Sequence, residues 1–256
     1  MSVVDAAYDE AVKTVESCVK KIQRAYNDIA HKVSWALKFL PDPLDKQVRT
    51  EMGKLHDKYK EHEVMMADLW LERGSAGALR DAANEWVLKV GGVASKQSTE
   101  LAFAAMPSNG VWEGDAQKAY RPIVDLHSRV LNDFFNWNGD LSDTLNALAD
   151  ALKVYWVAIA IDAVGCAVAL AACAVAGETV VALAAAIVAA VGAIVAFWVA
   201  VAGHTVLYHN TLDALEGKLV KIRAINGEDA RWPHGAADLS DASVLDGDKS
   251  GWERPL

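Results

Sequence analysis

The chain has 256 residues, of which 53% are hydrophobic, so it is long enough for one large core or two small ones. Its formal net charge is −9 and it has no basic cluster, which excludes a protein that binds nucleic acid by neutralising phosphates. The acidic first residues, without a basic segment leading into an apolar one, predict no cleavable secretory signal.

The first 74 residues are predicted to form an antiparallel hairpin of two helices. Apolar residues recur at alternating steps of three and four, the pattern of a packed helix seam: Tyr8, Val12, Val15, Val19, Ile22, Tyr26, Ile29, Val33, Ala36 and Leu40. Pro41 and Pro43 end this helix, because proline lacks an amide donor and disfavours the helical conformation before it. A second seam follows through Val48, Met52, Leu55, Tyr59, His62, Met66 and Leu69.

Residues 75–153 are predicted to form a second hairpin. Its first helix covers Ala76 to Ala105 and turns Leu79, Ala83, Trp86, Val90 and Val93 inward, although Gly91 and Gly92 each weaken it by about 1 kcal/mol. Its second helix carries apolar residues at helical spacing and can continue beyond the last of them: Ile123, Leu126, Val130, Phe134, Trp137, Leu141, Leu145, Leu148 and Leu152.

The connection between these two helices contains the segment "VWEGDAQKAY", residues 111–120. Gly114 can adopt backbone angles that other residues avoid, Asp115 can cap the following helix, and Trp112 can fill the seam between the helices. The residues alone therefore predict a well-packed helix–turn–helix.

The same turn resembles the signature of the WXG (Trp-x-Gly) family of helical-hairpin proteins, through Trp112, Gly114, Asp115, Ala116, Ala119 and Tyr120. The resemblance covers about residues 76–160. It implies a helical bundle assembled as a homo- or hetero-oligomer with another WXG-type protein, and export to the cell envelope or extracellular space by the type VII secretion machinery. The export signal of that family, Tyr-x-x-x-acid after the second helix, is missing, because Tyr208 is followed by Leu212; a partner could carry it.

Residues 154–206 are predicted to form an apolar helical hairpin. Asp162 is the single charge between Val154 and Ala176, no charge occurs between Val180 and Gly203, and the connection contains Gly177 and Glu178. Each arm is long enough to cross a hydrocarbon core. Small residues follow one stripe in each arm, where two helix backbones could pack closely: Ala158, Gly165, Ala169, Ala172 and Ala176 in the first, and Ala182, Ala186, Ala189, Ala193, Ala196, Ala200 and Gly203, near Gly192, in the second.

The hairpin admits three interpretations: conditional membrane insertion, constitutive anchoring, and permanent burial in a soluble bundle. The second arm favours insertion by about −5 kcal/mol, whereas Asp162 nearly cancels the gain of the first arm. A buried carboxylate needs a partner or a proton, so Asp162 is a candidate pH-dependent gate.

An amphipathic helix over 207–225 and an acidic tail over 226–256 complete the chain. The tail contains Asp246, Asp248 and Ser250, which match the first half of a calcium-binding EF-hand loop, but the chain ends before the glutamate of position twelve, so we interpret the segment as an ordinary turn rather than a calcium site. His62 begins the segment "HEVMM", in which Met66 replaces the second histidine of a zinc-protease helix, so we interpret His62 as a seam residue. Cys166 and Cys173 are about 10 Å apart along a helix, too far for a disulfide.

The sequence contains no nucleophile elbow, phosphate-binding loop or metal-ligand cluster, so we expect neither an enzyme nor a cofactor. The predicted fold is all-α: an elongated antiparallel helical bundle with a WXG-type helix–turn–helix and an Ala/Gly-rich apolar hairpin. The expected function is that of a type VII secretion-linked protein that interacts with a lipid membrane, pore or channel formation being one form. The alternative is a soluble dimerisation or adaptor protein whose hairpin stays buried.

Overall fold

The computed structural model describes residues 5–107, 109–111, 114–176 and 180–225. The chain is all-α, as predicted, and no strand occurs in these ranges. The α-helices are α1 (Ala6–Ala36), α2 (Asp42–Leu71), α3 (Ala76–Glu85), α4 (Gly92–Leu101), α5 (Asp115–Ala176) and α6 (Val180–Ile225). The chain divides into a first unit, Met1–Ala78 with Leu148–Asp213, and a second unit, Leu79–Ala147 with Ala214–Leu256.

Helices α1 and α2 form the predicted antiparallel hairpin. The Asp5 side chain caps α1 by accepting a hydrogen bond from the Tyr8 amide at 3.3 Å, and Pro43 stands in the first turn of α2, where its missing amide costs nothing. The rings of Tyr26 and Tyr59 stack with their centroids 4.0 Å apart. Much of the predicted seams is buried, through Val15, Ile22 and Ile29 in α1 and Val48, Leu55, Tyr59, His62 and Met66 in α2. Between Val15 and Ile22 the buried residue of α1 is Cys18, whereas Val19 was predicted and is only partly buried.

The C-terminal part of α5 packs beside α1 in the first unit and runs in the same direction. At one end, Tyr8 meets the fully buried Trp156 edge to face, and the Trp156 indole donates a hydrogen bond of 3.1 Å to the Arg73 carbonyl. At the other end, the Lys32 ammonium donates to the Ala174 carbonyl at 2.5 Å. A lysine at a helix C-terminus satisfies a carbonyl that has no partner within the helix.

Helix α6 runs antiparallel to α5 and packs beside α2, which completes a four-helix bundle. Tyr208 of α6 stacks on Tyr155 of α5 with centroids 5.0 Å apart, and Trp198 of α6 bonds to His62 of α2. Both apolar arms contribute a buried row at alternating steps of three and four: Ala149, Leu152, Trp156, Ile159, Ala163, Cys166 and Leu170 in α5, and Leu183, Ile187, Ala190, Ile194, Phe197 and Val201 in α6. We call these rows the inner seams.

In the second unit, the helix predicted over Ala76 to Ala105 is interrupted by a π-helical turn at Trp86–Gly91 and ends in a 3₁₀ turn at Phe103–Ala105. A π turn contains an extra residue, so the buried side of the helix shifts beyond it. The predicted inward positions Trp86 and Val93 are therefore wrong: both are exposed, and Gly91, Ala94 and Ser98 are buried instead. Ser98 joins this segment to α5 by donating to the Ser128 carbonyl at 2.7 Å.

Candidate membrane-interacting surface

A second apolar row follows the exposed side of each arm of the hairpin. It has the same alternation of three and four as the inner seams, and every member is exposed: Val154, Val157, Ile161, Val164, Val168, Ala171 and Val175 in α5, and Ala185, Val188, Gly192, Val195, Val199, Ala202 and Val206 in α6. We call these two rows together the outer face. Each outer row is five residues out of register with its inner seam, about 140° around the helix at 3.6 residues per turn. Each arm is therefore apolar on two nearly opposite sides.

The outer face is well exposed and long. Ile161, Val168 and Val199 keep 67%, 64% and 68% of their surface accessible. From Val154 to Val175 the row in α5 extends about 32 Å at 1.5 Å per residue, which is close to the hydrocarbon thickness of a bilayer. Soluble monomers rarely expose continuous apolar surface on this scale, so such a surface indicates a lipid or protein contact.

The exposed surfaces of α1 and α2 are different in character. They carry charged side chains, several of them joined in ion pairs one turn apart, such as Lys20 with Glu16 at 3.0 Å and Arg49 with Asp45 at 2.7 Å. Exposed pairs of this kind contribute little to stability but favour contact with water. The side of the first unit made by α1 and α2 is therefore mainly polar, with scattered exposed apolar residues such as Trp35, Val64 and Met65, whereas the side made by α5 and α6 carries continuous apolar rows.

Within the described residues, two helical segments are long and apolar enough to cross a membrane, Tyr120–Ala176 and Ala182–Val220. Apolarity alone is weak support for a membrane contact, because a core helix of a soluble protein can have the same composition. The exposure of the outer face is the further observation, since a core helix would have that side covered.

The small-residue stripe does not pack the two arms together as predicted. In α6 only Ala186 of the stripe is buried, and Ala189, Ala196 and Gly203 are exposed, as is Gly192 of the outer row. Gly165 in α5 likewise has open space where a side chain would project. Larger side chains form the inner seams because they remove more apolar surface from water, so many small residues remain on or beside the outer face.

Asp162 was expected to need a hydrogen-bond partner or a proton, and in the structure its partner is His204. The His204 ring nitrogen Nε2 lies 2.7 Å from Asp162 Oδ2, and both side chains are about 30% accessible. Thr205 follows His204, and its hydroxyl lies 3.1 Å from the hydroxyl of Tyr155, about two turns before Asp162 in α5. These two contacts join α5 to α6 near the open end of the hairpin and satisfy the polar groups of an otherwise apolar pair of helices.

His62 connects the N-terminal hairpin to the apolar one. Its ring is 2% exposed and lies against Tyr59, Phe197 and Trp198, and the Trp198 indole donates a hydrogen bond of 3.1 Å to His62 Nδ1. The other ring nitrogen, Nε2, has no hydrogen-bond partner within the described residues. Burial lowers the pKa of His62 to about 4, so the ring is neutral at pH 7. The sequence predicted a seam residue here but gave no sign of the Trp198 contact.

The turn that resembles the WXG signature lies at the start of α5. Gly114 has a φ of 106°, a conformation that favours glycine, its carbonyl accepts the first bond of the helix from the Lys118 amide at 3.2 Å, and α5 begins at Asp115. Ala116 and Tyr120 lie in the first turns of α5. Trp112, Gly177, Glu178 and the calcium-loop candidates Asp246, Asp248 and Ser250 lie outside the described residues.

The described residues hold no group of three or more histidine, cysteine or acidic side chains that could bind a metal ion. No protein-family model, curated protein or solved structure matches the chain. The class of the first unit is therefore given by its structure alone: it is an all-α bundle with one mainly polar and one apolar side.

Proposed function

We propose that this protein is a non-enzymatic helical protein that docks on a lipid membrane through the outer face of α5 and α6. The observation that carries the proposal is the second apolar row on each arm, which no part of the described chain covers. Partition into the membrane would bury these aliphatic side chains, each contributing about 1.5 to 3 kcal/mol when fully removed from water.

Docking needs no change in the bundle, whereas insertion of the hairpin requires α5 and α6 to leave α1 and α2. Insertion would expose the inner seams to lipid and break the bonds of His62 and Trp156 with their partners. The valine, alanine and glycine residues of the outer face would then allow close contact between hairpins, which is the route to a pore or channel. Export through a type VII pathway, inferred from the WXG resemblance, belongs to the same proposal.

The second candidate function is a soluble adaptor whose outer face is covered by another helical protein. The alternation of three and four along Val154 to Val175 favours it, because the same spacing packs helices in coiled coils. This candidate predicts oligomers in lipid-free buffer and no association with vesicles.

The test is flotation of the purified full chain with vesicles of phosphatidylcholine and phosphatidylglycerol. The variant Ile161→Glu with Val168→Glu places two charges on the outer face and should reduce the membrane-bound fraction at least tenfold. The matched control is Val64→Glu with Met65→Glu, which changes two exposed apolar residues of α2 and adds the same charge. It should float as the wild type does.

Failure of the wild type to float would contradict membrane docking. If sedimentation in lipid-free buffer then shows an oligomer that Ile161→Glu with Val168→Glu dissociates, the adaptor function is supported. Equal losses from both double variants would mean that added charge, and not the outer face, controls the binding.

A further inference from the structure

A groove of about 540 Å³ runs between α1 and α5 on the first unit. Its floor is aliphatic and comes from α5, through Val164, Ala167, Val168, Ala171 and Val175. Four of these five belong to the outer face, so the groove opens directly onto the surface proposed to meet the membrane.

The rim of the groove is basic, in a chain with a net charge of −9. Lys21, Arg24 and Lys32 line it together with His31, and Asp28 is the one carboxylate among the described residues of its lining. The Lys32 ammonium donates a hydrogen bond to the Ala174 carbonyl, whereas Lys21 and Arg24 form no ion pair within the described residues. The two exposed cations are one turn apart on α1 and can reach the same anionic group.

An aliphatic floor beside unpaired cations matches a ligand that has an anionic group at one end and a hydrocarbon chain at the other. Inorganic phosphate would gain nothing from the floor, and a neutral lipid would gain nothing from the cations. The α1 segment from Lys21 to Lys32 extends about 16 Å, which gives room for a chain to lie along the groove. The volume is within the range of small-molecule sites.

We infer that this groove binds a single anionic phospholipid, with its phosphate held by Lys21 and Arg24 and one acyl chain lying on the floor made by α5. The inference rests on the proposed membrane docking, because the lipid enters sideways from the bilayer across Val164, Val168 and Val175. The site then gives the protein a preference for membranes rich in anionic lipid.

The direct test uses a soluble probe, dihexanoyl phosphatidylglycerol below its micellar concentration, titrated into the full chain by calorimetry. Dihexanoyl phosphatidylcholine and inorganic phosphate are the comparison ligands. We expect one phosphatidylglycerol per chain, weaker binding of phosphatidylcholine because its choline cation lies beside the same phosphate and is repelled by Lys21 and Arg24, and no measurable binding of inorganic phosphate. Lys21→Glu with Arg24→Glu should weaken the binding about 25-fold, at about fivefold for each basic side chain.

Two further variants identify the groove as the site. Lys13→Glu with Lys46→Glu makes the same change in charge at exposed positions outside the groove and should leave the affinity unchanged. Ala171→Trp fills the floor without altering any charge and should abolish binding. Circular dichroism of each variant checks that it keeps the helical content of the wild type.

The inference is overturned if phosphatidylcholine binds as tightly as phosphatidylglycerol, if inorganic phosphate binds equally, or if both pairs of charge variants behave alike. It is also overturned if Lys21→Glu with Arg24→Glu disrupts an oligomer of this chain while phosphatidylglycerol does not bind, because the groove would then receive a second copy. Vesicle flotation separates the two proposals. If the protein floats with vesicles that contain phosphatidylglycerol, but the groove variants float equally and soluble phosphatidylglycerol does not bind, membrane docking stands and the lipid site is refuted. Binding of the soluble lipid without flotation would support the lipid site and contradict membrane docking.

Discussion

Replacing His62 with glutamine is expected to remove much of the acid sensitivity of the bundle formed by α1, α2, α5 and α6. The wild-type ring is buried against Trp198 with a pKa lowered to about 4, whereas an unfolded chain protonates histidine near pH 6.5. The buried ring does not take up a proton in the folded state until the pH is near 4, whereas the unfolded chain takes one up near pH 6.5. The contribution of His62 to the free energy of unfolding is therefore fully present above pH 6.5 and is lost as the pH falls towards 4. At about 1.36 kcal/mol per pH unit, the loss between pH 7.5 and pH 4.5 is about 2.5 kcal/mol.

Glutamine suits this position because its side-chain oxygen can still accept the Trp198 hydrogen bond while the group no longer titrates. The measurement is urea unfolding of the full chain at pH 7.5 and pH 4.5, with hydrogen exchange in peptides of α2 reporting this bundle separately. His209→Gln is the control, since His209 is exposed on α6. The reasoning is refuted if the wild type and His62→Gln lose the same free energy of unfolding between the two pH values.

The remaining predictions concern charge in the hairpin and packing in the two units. Asp162→Asn should raise the carbonate-resistant membrane fraction at pH 7.5, because it removes a charge that costs about 2.5 to 3.5 kcal/mol at a bilayer centre. His204→Gln breaks the same pair but keeps the charge of Asp162, so it should not raise that fraction. Equal effects of the two variants would show that the charge of Asp162 does not control insertion. Trp156→Ala should lower the free energy of unfolding by about 3 to 5 kcal/mol in urea titrations, and Trp86→Ala, at a position 41% exposed, by under about 1 kcal/mol. Gly91→Ala should destabilise the second unit, because the new methyl group would lie 3.2 Å from Asn138 Cβ, whereas Gly53→Ala, with open space, should stabilise α2 by up to about 1 kcal/mol. Hydrogen exchange measured separately in each unit shows whether Gly91→Ala lowers the stability of the second unit and Gly53→Ala raises that of α2.

Helices α1 and α2 were predictable because the apolar residues of each follow a single periodic seam. Val15, Ile22 and Ile29 occupy one side of α1, and polar residues fill the other, so the buried side is evident from the sequence. The apolar arms were predictable as helices but not in their orientation. They are apolar on all sides, and only the position of α1 and α2 decides which of the two rows is covered.

Contacts between distant residues account for most of what the sequence did not reveal. His204 is 42 residues from Asp162, and Trp198 is 136 residues from His62, so no local pattern could pair them. The π turn before Gly92 changed the buried side of its helix, because periodicity assumes a constant number of residues per turn. The outer row of α5 is visible in the sequence as apolar residues spaced alternately by three and four from Val154, but the inner seam has the same spacing, so the sequence does not show which row is exposed.

Photolabelling of the wild-type protein on vesicles tests the central claim most directly. Phospholipids with a diazirine in the acyl chain react with the side chains that they touch, and mass spectrometry locates the labels. Membrane docking through the outer face predicts labels at positions such as Ile161, Val168, Val195 and Val199, and none at Leu55 or Tyr59 of the buried α2 seam. Labels spread over the charged surfaces of α1 and α2, or none on α5 and α6, would contradict it.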